Sequence, residues 1–122
     1  MNAEAAPKPQ RIVYAAVFAV SVTAAILVAS AGAWQLWVFV AATDLALFLG
    51  IAPGLEQGQI HPRAVPLYNA LHSFAGPALL SIASIWLGPV WLAGALGWTA
   101  HVAIDRAVGY GPRTRDGLKR VA

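Results

Sequence analysis

Four apolar runs, parted by two uncharged turns and one polar loop, set the plan of the chain. They cover residues 12–31, 34–52, 64–87 and 89–108, each close to the roughly 20 residues that cross a hydrocarbon core about 30 Å thick. Gly32 and Ala33 leave almost no chain between the first two runs, and Gly88 almost none between the last two. Each pair is therefore predicted to fold back as an antiparallel helical hairpin. Residues 53–63 combine the breakers Pro53, Gly54, Gly58 and Pro62 with Glu56, Gln57, Gln59, His61 and Arg63, the signature of a loop. Pro89 suits a first helical turn. Pro77 removes the amide that would bond the Ser73 carbonyl, which predicts a kink just beyond His72.

Composition turns these runs into membrane spans. Of the 122 residues, 59% are hydrophobic and 11% charged, less than half the charge usual for a soluble domain. There is no cysteine, so disulfides and thiolate metal sites are excluded. The charge of +3 is spread over both ends, which reports orientation and contact with anionic lipid head groups rather than nucleic acid. Lys8 and Arg11 precede the first run, Arg63 lies in the middle loop, and Arg113, Arg115, Lys119 and Arg120 follow the last; both short turns are uncharged. The positive-inside rule then places both termini and the middle loop in the cytoplasm. Trp34, Trp37, Trp86 and Trp91 gather near the opposite turns as an aromatic belt would.

The predicted fold is all-α: an up-down bundle of four transmembrane helices in the inner membrane (residues 12–108), with a basic N-terminal tail (1–11) and a basic cytoplasmic tail (109–122). Lys8, Arg11 and Ala29-Ser30-Ala31 also imitate a cleavable secretory signal, but the run is longer than the usual 7–15 residues.

Candidate chemistry comes from the ionisable residues inside the spans. Asp44, His72 and His101 each lie about seven or eight residues from a cytoplasmic helix end, roughly 10–12 Å deep. Asp105 follows His101 by four residues and Asn69 precedes His72 by three, so each shares a face with its histidine. Tyr68 and Arg106 flank this layer. Gly76, Gly94 and Gly97 lie on the same faces, where small residues let helices approach. An ionised group at that depth costs about 2.5 kcal/mol or more, so it is paired and often functional.

Two imidazoles and two carboxylates suit a divalent zinc, iron or manganese ion. Asp44, His72, His101 and Asp105 are the ligand candidates, with Asp105 also a candidate general base and Asn69 and Arg106 orienting groups for the bound species. An open coordination position would support hydrolysis of a lipid or small amphiphile. Arg63, Arg106 and Arg113 could hold a phosphate or carboxylate head group. Three other readings use the same residues: a proton-coupled or ion-conducting carrier, in an oligomer, with Asp44 and Asp105 on the path; a scaffold or accessory subunit whose polar residues only bond across helices, worth about 0.6 kcal/mol each; and haem held by His72 and His101. His61 reads as an exposed loop residue, Trp98 as a packing aromatic, and Gly109 as a left-handed helix cap.

Tyr68-Asn69-x-x-His72 and Ala100-His101-x-x-x-Asp105-Arg106-x-x-Gly109-Tyr110-Gly111, together with Asp44-Leu45, resemble a family of small bacterial membrane proteins described as a domain of unknown function, number 4260. The likeness runs from about Trp34 to Gly111. It departs after Asp44, where Leu45 to Gly50 lack the family's Ser-Met-Leu-Gly-Tyr character, and at Pro112-Arg113, where the family continues Leu-Lys. The resemblance implies a site at Asp44, Asn69, His72, His101, Asp105 and Arg106 and names no reaction.

Overall fold

A computed structural model describes residues 8–118. Residues 1–7 and 119–122 lie outside it, and with them parts of both predicted tails, Lys119 and Arg120 included. Among the described residues every regular element is helical. Helix α1 spans Lys8–Ala29. Helix α2 (Trp34–Ala42) runs through a 3-10 turn at Thr43–Leu45 into α3 (Ala46–Leu49). A 3-10 turn at Pro62–Ala64 opens α4 (Val65–Leu71), followed by α5 (Ala75–Leu87) and α6 (Pro89–Val108).

The sequence explains most of these boundaries. The turn after α1 is fastened by Ser30, at φ 96°, and by the Trp37 indole N–H, which donates to the Ala31 carbonyl at 2.7 Å. Gly88, at φ 106°, makes the abrupt reversal between α5 and α6 that a side chain would resist. His61 is more than an exposed loop residue: it caps the turn before α4, its Nδ1 accepting the Arg63 N–H at 3.1 Å. Helix α6 ends in a left-handed Gly109 at φ 101°, with Gly109 N–H donating to Arg106 O and Tyr110 N–H to Asp105 O, the cap its sequence predicts.

The predicted third helix is broken. Pro62–Leu71 and Ala75–Leu87 meet at 45°, because the Pro77 ring excludes the Ser73 carbonyl from a continuous helix. Side chains from α6 fasten the carbonyls around the break. The Trp98 indole N–H donates to Leu71 O at 2.7 Å, and Arg106 Nη2 approaches His72 O at 3.4 Å.

The helices do not form a ring of four equals. Helix α6 is the hub, packed against α1, α2 and α5. Its buried residues include Ala93, Gly94, Ala95, Gly97, Ala100 and Ala103, so three neighbours can approach its backbone. A Cβ on Gly97 would stand 2.6 Å from the Leu36 carbonyl oxygen, one on Gly94 2.8 Å from the Phe39 ring, and one on Gly76 inside the Trp98 ring.

Helix α1 is long and apolar enough to cross a membrane by itself, and the bent pair passes the same measure together. Trp34–Leu49 is apolar but shorter, while His101, Asp105 and Arg106 lower the apolarity of α6. The outer surface is rich in large apolar side chains, among them Leu27 (81% exposed), Trp86 (78%), Ile85 (76%) and Phe48 (69%).

Candidate metal centre

Asp44, His72, His101 and Asp105 converge on one point. The 3-10 turn after α2 carries Asp44, the α4–α5 break presents His72, and successive turns of α6 supply His101 and Asp105. Asp44 Oδ1 lies 3.2 Å from Nε2 of both histidines. Asp105 Oδ2 lies 3.2 Å from His101 Nε2 and 3.5 Å from His72 Nε2. The two Nε2 atoms are 3.4 Å apart, and one donor atom from each of the four residues falls within 4.8 Å of all the others.

These spacings have a chemical meaning. Donors about 2.0–2.1 Å from a tetrahedral metal are about 3.3–3.4 Å from one another. The same spacings, with a carboxylate oxygen 3.2 Å from each Nε2, leave no slot for a porphyrin between the histidines.

Hydrogen bonding fixes how His72 faces the centre. Its Nδ1 is 2.8 Å from the Tyr68 carbonyl oxygen. A carbonyl only accepts, so Nδ1 carries a proton, and Nε2 is the ring nitrogen that faces the centre. Metal-bound histidines are held this way, the second ring nitrogen donating to a carbonyl or carboxylate. His101 has the Val40 backbone as its corresponding partner. Tyr68 stacks on the His72 ring at 3.9 Å. Without a cation or extra protons, inward lone pairs would face two carboxylates that repel one another by up to about 4 kcal/mol at an effective dielectric of 20, less where solvent screens them.

The centre has unequal sides. His72 and His101 are buried, while the Asp44 side chain is 51% exposed and that of Asp105 26%. A cavity of about 250 Å³ borders both carboxylates and is otherwise lined by Leu47, Tyr68, Tyr110 and Arg113. Another, of about 300 Å³, reaches His101 from among apolar side chains of α1, α2 and α6.

Asn69 and Arg106 stand outside the donor set. The Asn69 amide donates to the Arg113 carbonyl at 3.0 Å, and the Arg113 N–H donates to Asn69 Oδ1 at 2.6 Å. Asn69 thus pins the segment after α6. The Arg106 guanidinium packs on Tyr14 and Phe74, 5.7 and 4.8 Å from the ring centroids. Residues 109–118, predicted as the start of a tail, fold back on the middle loop: Ile60 N–H donates to Gly117 O, and Arg113 Nη1 donates to Gly58 O and Gly117 O. Asn69→Leu should strip two backbone bonds at a cost of about 1–3 kcal/mol. Hydrogen exchange in residues 113–118 should accelerate; unchanged exchange there would show that Asn69 does not pin the segment.

A family model described as Domain of unknown function (DUF4260) matches residues 9–121. The chain belongs to this family. The match takes in all four donors, and extends to α1 and to the segment after Gly111, which the motif resemblance did not reach. No curated protein and no solved structure matches the chain.

Proposed function

We propose that this DUF4260 protein is a multi-pass membrane protein holding one divalent zinc, iron or manganese ion between Asp44, His72, His101 and Asp105, near the cytoplasmic face. The observation that carries the reading is the donor set itself, spaced as a metal shell, with His72 Nε2 turned toward its centre. The membrane part rests on the apolar exterior, and the orientation on the placement of Lys and Arg. Asp44, whose side chain is half exposed, is the donor that faces the cavity most openly. Such an ion would supply an acidified water, with Asp105 as ligand or general base, so hydrolysis is the chemistry the centre would offer.

Protein purified in mild detergent should carry about one equivalent of metal by elemental analysis, and none in H72A/H101A. Cobalt substitution should give a visible tetrahedral spectrum. Wild-type protein that stays metal-free after incubation with each of the three ions would sink the proposal. A pH-dependent flux in liposomes that D44N abolishes would then favour the carrier reading.

A further inference from the structure

We infer that the cavity beside the donor set is an oxyanion subsite, in which Arg113 holds a phosphate or carboxylate group whose remaining oxygen reaches the metal. The inference rests on the metal reading above and adds the class of ligand.

Arg63, Arg106 and Arg113, the arginines that the sequence offers as anion holders, have different employment. Arg63 is tied to the Leu49 and Ile51 carbonyls at 2.8 and 3.0 Å. Arg106 is tied to the His72 carbonyl and enclosed by Tyr14 and Phe74. Arg113 alone of the three lines the cavity with Asp44 and Asp105. It is 9% exposed, lies 5.0 Å over the Tyr68 ring and, like Arg106, has a buried Nε with no partner. Its Nη1 meets only carbonyls, and among the described residues every ion pair joins a histidine to Asp44 or Asp105. A buried guanidinium without a counter-ion is costly, and its planar fork matches the oxygens of phosphate and carboxylate.

Charge makes this subsite conditional. A divalent ion cancels Asp44 and Asp105, leaving the Arg113 charge to attract an anion. Without the ion the two carboxylates outweigh Arg113 and an anion is repelled. A cavity of about 250 Å³ equals several water volumes of about 30 Å³ each, room for an oxyanion and residual water. The anion comes either free in solution or as a lipid head group, since the chemistry is shared.

The test uses full-length protein loaded with manganese, whose paramagnetism broadens the resonance of any nearby nucleus. Metal content is measured first, so failure of the metal reading is seen separately. The probes are inorganic phosphate and acetate with protein in detergent, and phosphatidic acid in lipid nanodiscs. Broadening of a probe by wild-type protein, reduced at least tenfold in R113Q and unchanged in R115Q, supports the inference, and the probe that responds identifies the source. Equal broadening in wild type and R113Q, or no broadening of any probe, overturns it. Should R113Q fail to hold manganese, R113K decides: several-fold weaker broadening at full metal content supports the inference, and wild-type broadening overturns it.

Discussion

On the proposed metal reading, a chelator is expected to lower the midpoint of thermal unfolding by about 10 °C. A ligand held at a hundred times its dissociation constant stabilises by about 2.7 kcal/mol. In a chain of this size each kcal/mol moves the midpoint by roughly 4 °C. Removing the ion also restores repulsion between the two carboxylates. The effect should vanish in H72A/H101A, whose midpoint should be indifferent to chelator. D44N should lie between the two, because half of the Asp44 side chain is already in solvent. A neutral amide there still offers an oxygen to the ion, though a weaker one. Differential scanning fluorimetry with and without EDTA checks the wild type and both variants, and a wild-type midpoint that ignores EDTA would remove the ion from the account of stability.

The second large effect is expected at Gly97, one turn before His101 on α6. A Cβ there would meet the Leu36 carbonyl oxygen at 2.6 Å, Leu36 Cδ1 at 2.8 Å and Val40 Cγ2 at 3.1 Å. A carbonyl in the middle of α2 cannot turn aside, so the whole helix must move away from α6. Overpacking of this kind costs about 1–3 kcal/mol. Asp44 rides on the continuation of α2, and its 3.2 Å approach to His101 depends on that helix spacing. Metal bonds tolerate about 0.2 Å, so Gly97→Ala should lower metal affinity at least tenfold and Gly97→Val should abolish retention. Gly32→Ala, where the nearest atom is 3.7 Å away, serves as the control. Wild-type metal affinity in Gly97→Val would show that helix spacing does not position Asp44.

The legible parts of this molecule are those fixed by local chemistry. Pro89 and Gly109 delimit α6 as their backbone preferences require, and Pro77 breaks the third helix where its missing amide demands. His101 and Asp105 share a regular helix, so their four-residue spacing translates directly into a 3.2 Å contact. Asn69 shows where that logic stops. It sits one helical turn before His72, which still bonds back to the Tyr68 carbonyl as a helix does, yet its amide is taken by Arg113 from the segment after α6. The burial of Arg113 depends on the chain after Gly109 folding onto the middle loop, a tertiary contact that no period in the sequence announces. Gly117 is part of that contact, since a Cβ there would run into the Ile60 carbonyl oxygen. The central place of α6 was half visible in its alanines and glycines. Their number marks close packing, but only the assembled structure gives the helix three neighbours.

A hub that follows its spokes in the chain also sets an order of assembly. When α1, α2 and α5 have been synthesised, none of them yet has the helix it will pack against. About sixty residues separate the end of α3 from the end of α6, which is roughly 3–12 s of translation at 5–20 residues per second. Over that interval Asp44, joined by His72 once α4 has been made, stands with half of the donor set still unmade. Maturation of the centre is therefore a late event, coupled to the arrival of α6, and an ion supplied earlier would find no site to enter.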